Sequence, residues 1–325
     1  MTLSTQPLVQ RTGAIALTVS DLDRILQFYV QALGFEFVSD LALTDVGKAP
    51  TDKTPVRVVT LRLGQESIAL MHYPDAESKP IPADSQSNDL WFQHFAVVVS
   101  DIDAAYRHLK TFDIEPISTQ PQTFPPANAA SAQIQAFKFT DPDSHNLEII
   151  QFPPDKGEAK WQQKTDRLFL GIDHSALAVA TTAESLAFYR DLLGLQVAGS
   201  SFNWREVQSR LDDLPKATVN VTTLQAANGG IGIELLDYLR PTPSRPFPAD
   251  WTRRDIAHMH IELTVADLEQ AIAQLKTRGV SYTALSLLHP DASPYRQGVL
   301  IKDPNGHALL LLANRLISGT STSLI

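Results

Sequence analysis

The chain contains no cysteine, no basic run and no long apolar run, and each absence closes off a class of protein. Without cysteine there are no disulfides, thiolate metal sites or cysteine nucleophiles. Any metal must therefore be held by nitrogen and oxygen. The formal net charge is −9, so nothing offers a nucleic acid or an anionic membrane an electrostatic footprint, and small molecules are the expected partners. The longest uninterrupted apolar stretch, Ala308 to Ala313, is far too short to span a bilayer. The opening MTLSTQPLVQRTG has no apolar signal core. The expectation is a soluble, cytoplasmic chain without membrane insertion. Gly-rich phosphate loops leading into a helix are also missing, since DPNGH and DPDSH read as turns.

What is present is enough apolar residue, 43% of 325, for about two ordinary domains. The stretch IDHSALAVATTAESLAFYRDLLG at 172–194 shows how it is arranged. Ser175, Leu177 and Val179 share one face of an extended segment, and His174, Ala176 and Ala178 share the other. Thr181 and Glu184 have capping-box spacing, Leu186, Phe188, Tyr189 and Leu193 recur at roughly helical spacing, and Gly194 marks a stop. A strand thus runs into a helix that packs back on its branched face, and His174, at the strand's start, points to the other side.

That layout occurs four times. GAIALTVSDLDRILQFYVQALGF, HFAVVVSDIDAAYRHLKTFDI and HIELTVADLEQAIAQLKTRGV repeat it, with strand-ending valines at Val19, Val99, Val179 and Val265, about eighty residues apart. After each helix come alternating strands separated by Asp-Pro, Asn-Gly or Gly-Gly turns. The chain therefore divides into units at 10–75, 90–153, 168–240 and 255–314, each reading strand, helix, three strands. One unit cannot bury both faces of a curved sheet, so units must pair. Pro-rich stretches at 74–89, 153–166 and 240–254 are expected as linkers. Residues 116–131, also Pro-rich, fall inside the second unit and are expected to loop over a pocket.

The βαβββ unit headed by histidine, the V-x-D-[LI]-[DE] helix entry and the D-P-[DN]-[SG]-[HN] turn resemble the vicinal oxygen chelate superfamily, over residues 10 to 314. That superfamily includes glyoxalase I, methylmalonyl-CoA epimerase, extradiol and hydroquinone dioxygenases and the bleomycin-resistance binding proteins. The resemblance implies an α+β fold in which the four units pair into two cup-shaped mixed sheets with helices outside. It also implies metal ligands at the head of each first strand and the middle of each last strand. The first set of positions holds Ala14, His94, His174 and His260, and the second holds Ala69, Glu148, Glu234 and Leu310.

Pairing the units in chain order would put His174, Glu234 and His260 in one cup, a triad like that of an extradiol dioxygenase. Pairing the second with the third collects His94, Glu148, His174 and Glu234, and leaves Ala14, Ala69, His260 and Leu310 to the other cup; this arrangement accounts better for the lost ligands. Imidazole nitrogen and carboxylate oxygen suit one divalent ion (Fe, Ni, Co, Zn or Mn) with sites left for adjacent oxygens of a small substrate. The function implied is a metal-dependent isomerase or lyase of glyoxalase or epimerase kind, with Glu148 or Glu234 moving the proton. The alternatives are an Fe(II) dioxygenase and a metal-free binding protein. His258, on the same strand face as His260, is a candidate substrate-facing base, and Asn203, Trp204 and Arg205 are candidates for the cup mouth. His72, His145, His289 and His307 lie near turns or strand ends and carry no assignment.

Overall fold

The computed structural model describes residues 7–46, 53–291 and 294–313; the first six residues and residue 314 lie outside that range. The first unit consists of β1 (Val9–Thr18), α1 (Leu22–Leu33), β2 (Glu36–Val46), β3 (Lys53–Leu63) and β4 (Glu66–His72). The second has β5 (Gln93–Val99), α2 (Ile102–Leu109), the two-residue β6 (Glu115–Pro116) and β7 (Gln122–Thr123), then β8 (Gln135–Thr140) and β9 (Asn146–Gln151). The third has β10 (Phe169–Val179), α3 (Thr182–Tyr189), β11 (Gln196–Asn203), α4 (Arg205–Asp212), β12 (Thr218–Gln225) and β13 (Gly232–Arg240). The fourth has β14 (Met259–Val265), α5 (Leu268–Thr277), β15 (Tyr282–Leu288), β16 (Pro294–Lys302) and β17 (Ala308–Ala313).

Each of the four repeated helices starts where a side chain can accept from the first turn. Asp21, Asp101, Thr181 and Asp267 are the N-caps, each accepting from the amide three residues on. The helices pack on the branched faces of their strands: Leu177 and Val179 join Phe188, Tyr189 and Leu193 in one core, and Ile15, Leu17, Phe95 and Val97 join another with α1 and α2. The concave sides are left free to build cups.

The strands form two sheets. One is a closed barrel ordered β1-β14-β17-β16-β15-β2-β3-β4, so it combines the first and fourth units. The other is an open nine-stranded sheet ordered β11-β12-β13-β10-β5-β9-β8-β6, with β7 beside β8, which combines the third and second. In both, the first strands of the two units meet antiparallel at the centre: Ala176 opposes His94 and His174 opposes Ala96, just as Ala16 opposes His260. The two D-P-x-x-H turns tie the sheets together. His145 donates through Nε2 to the carbonyls of Thr18 (3.1 Å) and Ile256 (2.9 Å), and His307 through Nε2 to that of Ala178 (2.8 Å). Tyr29 and Tyr189 each donate a hydroxyl to the turn aspartate, Asp141 or Asp303. These histidines therefore hold turns and bridge sheets.

Three local features depart from the repeat as read in sequence. β10 begins at Phe169, so His174 sits in mid-strand and not at its start. The third unit inserts α4, a mostly polar helix whose buried residues Gln208, Leu211 and Asp212 fall on one face at helical spacing but include a single apolar side chain. The second unit has only short pieces in place of its first outer strand, because the Pro-rich stretch 116–131 folds into turns that cover the cup. Phe124 and Ser131 from that stretch line the cavity beneath.

Candidate metal centre

The register of the strands places the four repeated positions equivalently. Ala96 pairs with Glu148, Ala176 with Glu234, Ala16 with Ala69 and Glu262 with Leu310. Each last-strand position thus lies beside the residue two beyond its own unit's first-strand position. Because β5 and β10 are neighbours in one sheet, His94, Glu148, His174 and Glu234 converge in a single cavity of about 550 Å³. His260 is in the barrel and does not join them.

His94, Glu148 and His174 are buried, and Glu234 is half-buried. His94 and His174 are 2% and 4% exposed, and their rings lie 5.8 Å apart. His94 Nε2 is 3.2 Å from Glu148 Oε2, and His174 Nε2 is 3.4 Å from Glu234 Oε2. A donor atom from each of His94, Glu148 and His174 falls within 4.8 Å of the others. Neither ring nitrogen of His94 makes a hydrogen bond, so its Nε2 and the Glu148 oxygen approach closely without aligning on one another. Buried polar atoms are rarely left so. Two donors that face a common third point instead of each other are what a cation site requires, and nitrogen with carboxylate oxygen suits a divalent ion. The residues fit the metal that the family resemblance implies.

A surrounding layer orients these donors. Asp173 Oδ2 accepts from His174 Nδ1 at 2.9 Å, which leaves Nε2 as the nitrogen available to a ligand, and Trp161 Nε1 donates to Asp173 Oδ1 at 2.8 Å. Thr223 Oγ1 donates to Glu234 Oε1 at 2.9 Å. Lys138 on β8 stands opposite Glu148 in register, its Nζ 4.0 Å from Glu148 Oε2 and 2.7 Å from Asp212 Oδ1. Asp212 comes from α4 and also accepts from Gln208 Nε2 and, at 3.0 Å, from Tyr238 Oη.

Charge within this layer sorts the four donors. Burial and the Lys138 ammonium lower His94 to about 4, so it is neutral at pH 7. Burial opposes the charge of Glu148, but the His94 ring 3.2 Å away and the Lys138 ammonium outweigh it and hold the carboxyl well below the ordinary range. Burial likewise opposes protonation of His174, yet the Glu234 and Asp173 carboxylates raise it to about 9. Burial raises Glu234 above the ordinary carboxyl range despite His174. The two glutamates, equivalent by repeat, therefore differ: Glu148 is a fixed anion and Glu234 takes a proton more readily.

The barrel cup holds the other equivalent positions. His260, Ala14, Ala69 and Leu310 line a cavity of about 310 Å³ with Glu262, which forms an ion pair with Arg296. His258 Nε2 lies 3.1 Å from His260 Nδ1 and faces away from the four converging side chains, so it is no base for them. Asn203 lines the open-sheet cavity and accepts from Ser131 Oγ at 2.7 Å, whereas Trp204 and Arg205 lie outside it. Lys138, Asp173, Asp212 and Glu262 were missed by sequence reasoning. Lys138 had a signal, since QAFKFT sets a lysine beside Ala136 on the strand face opposite Phe137 and Phe139; the others had none.

Comparison with known proteins fits this geometry. The model of the Glyoxalase/Bleomycin resistance protein/Dioxygenase superfamily matches residues 11–149 and 171–311. A 2-epi-5-epi-valiolone epimerase from Actinomyces is 29% identical over 161 residues, which is 47% of this chain and 83% of that protein. Glyoxalase I from Zea mays shares the fold with a TM-score of 0.61 at 16% identity, over 94% of this chain and 92% of that one. A putative dioxygenase from Bacillus subtilis superposes with a TM-score of 0.59 at 15% identity, over 95% of this chain and 86% of that one. Among the described residues no helix is long and apolar enough to cross a membrane. Two matched halves that together cover most of the length, in a chain folded from four βαβββ units, make this protein a member of the Glyoxalase/Bleomycin resistance protein/Dioxygenase superfamily.

Proposed function

We propose that this chain is a divalent-metal-dependent enzyme of isomerase or lyase kind, acting on a small substrate that presents adjacent oxygens. The observation that carries the reading is the buried approach of His94 Nε2 to Glu148 Oε2 at 3.2 Å without a hydrogen bond, with His174 completing the cluster. His94, His174, Glu148 and Glu234 would hold the metal, which when bound polarises the chelated oxygens and makes the adjacent carbon acidic. The epimerase relative supports the isomerase arm, because epimerisation beside a carbonyl needs this proton transfer.

The chain's own groups divide the remaining work. Glu148, held ionised beside the Lys138 ammonium, is too acidic to be an effective base and serves as a permanent ligand. Glu234 moves the proton: burial raises its carboxyl, its side chain is 21% exposed to the cup, and Thr223 fixes one oxygen. It takes the proton from the carbon beside the chelated oxygens and returns it to that carbon or its neighbour. Asp173 keeps His174 Nε2 aimed at the ligand position. Phe124, Leu211 and Leu236 line the cavity and limit water there.

A second reading is favoured by one feature, the compact trio of His94, His174 and Glu148, which is the two-histidine, one-carboxylate set of non-haem iron oxygenases. One experiment separates the two readings: metal content and turnover measured together, with and without O2, for wild type, Glu148→Gln and Glu234→Gln. The isomerase reading expects Glu234→Gln to keep most of its metal, since an amide oxygen still ligates, while losing turnover at least a hundredfold. Strict O2 dependence would transfer the function to the oxygenase class, and wild type without bound metal would exclude both readings.

A further inference from the structure

A third cavity, of about 510 Å³, lies at the other end of the barrel from Glu262 and Arg296. The alternation of inward positions shows this directly. Leu285 and Leu287 on β15 and Arg296 on β16 line the cup cavity, while Thr283 on β15 and Leu300 and Lys302 on β16 line this one. In the open sheet the corresponding end is filled: Phe92, two residues before His94 as His258 is two before His260, packs with Leu214, Val219 and Tyr238. The barrel end is hollow instead.

Its outer wall is assembled from two segments that sequence alone marks as linkers, together with the residues that directly follow them. They are bound to each other: Leu90 N donates to Arg245 O (2.9 Å), Ile256 N to Lys79 O (3.0 Å), Lys79 pairs with Asp250 (2.6 Å), and Arg245 pairs with Asp84 (2.8 Å) and Asp89 (2.6 Å). This zipper brings together Trp91, Phe247 and Trp251, with ring centroids 5.6 Å apart for the tryptophans and 5.4 Å for Phe247 and Trp251. Arg253, Arg254 and Lys302 also line the cavity, and among the described residues no aspartate or glutamate does, in a chain of net charge −9. Arg253 is bound at both ends of its fork by Asp45, and Arg254 donates to Thr54. Lys302 is exposed, makes no ion pair among the described residues, and its ammonium stands 5.0 Å over the Phe247 ring.

We propose that this cavity is a binding site for an aromatic anion, a carboxylate or phosphate carried on one or two rings. The rings lie against Trp91, Phe247 and Trp251, and the charge meets Lys302. The volume is in the range of small-molecule sites, aromatic walls recognise flat groups by offset or edge contacts, and an ammonium with no ion pair among the described residues, on a wall where those residues supply no carboxylate, favours negative charge. The site shares no residue with the proposed metal centre, and its occupation does not depend on metal.

The test titrates the full-length protein with 2-naphthoate, 2-naphthyl phosphate and the neutral 2-naphthamide, following tryptophan fluorescence. Two of the four tryptophans, Trp91 and Trp251, line the cavity. Both anions should quench saturably, and the amide should bind about two- to fivefold more weakly, as expected for loss of one exposed ion pair. Lys302→Gln should weaken the anions by about the same factor and leave the amide unchanged, and Trp251→Ala should weaken all three. His174→Ala should leave binding as in wild type. The proposal is overturned by non-saturable quenching, by equal affinity for anion and amide, by anion affinity indifferent to Lys302→Gln, or by loss of binding in His174→Ala, which would place the probe in the metal cup.

Discussion

Asp173→Asn tests whether His174 is a ligand through Nε2, because it alters the orienting contact and leaves every proposed ligand in place. In the wild type Asp173 accepts from His174 Nδ1 at 2.9 Å with a carboxylate that is 20% exposed and itself held by Trp161. A hydrogen bond to a charged acceptor contributes about 1.5–3 kcal/mol and a neutral one about 1. Asparagine keeps an acceptor oxygen, so the loss is the difference, about 1–2 kcal/mol, or roughly 5- to 30-fold in metal affinity at RT of about 0.6 kcal/mol. The pH of the assay decides whether this is visible. With His174 raised to about 9, stripping its proton at pH 7 costs about 1.4 kcal/mol for each pH unit below that value. Removing the Asp173 charge lowers that cost and offsets the lost hydrogen bond. The titration therefore belongs above about pH 9, where His174 is already neutral, with a chromophoric chelator as competitor and the metal-free melting temperature as the folding control. Affinity within twofold of wild type under those conditions, in a folded variant, would refute the placement of His174 Nε2 at the metal.

The same titration predicts proton release. The His174–Glu234 pair holds a proton at pH 7 that metal must displace, so about one proton should leave per metal bound, and apparent affinity should rise about tenfold per pH unit until it levels near pH 9. Calorimetry in buffers of different ionisation enthalpy measures this, and metal uptake without proton release would contradict the reading. Lys138→Met leaves the buried Asp212 without its cation and should destabilise the fold by about 3 kcal/mol or more, read by urea unfolding. Lys138→Met with Asp212→Asn should recover a substantial part of that loss, and a single variant as stable as wild type would show that the pair is not needed to balance buried charge.

Much of this protein follows from its sequence read alone, because period and repetition are local properties. The alternation in IDHSALAVA set Leu177 and Val179 against a helix and His174 against the opposite space, and the structure places them there. Recurrence of the strand–helix layout about every eighty residues defined four equivalent units, so His94, His174 and His260, and Glu148 and Glu234, stood out as occupants of matching positions. What no local pattern contains is which units share a sheet. That depends on how the antiparallel pairs β5–β10 and β1–β14 bury their shared faces, and it alone brings His94 to His174 while sending His260 to the barrel. The orienting layer was also out of reach. Asp212 arrives on a mostly polar helix inserted into the third unit, Asp173 accepts a hydrogen bond from a linker tryptophan, and the linkers themselves become a cavity wall through ion pairs spanning more than 150 residues. Such contacts join side chains distant along the chain, and their energy comes from burial and charge complementarity that exist only once the sheets have closed.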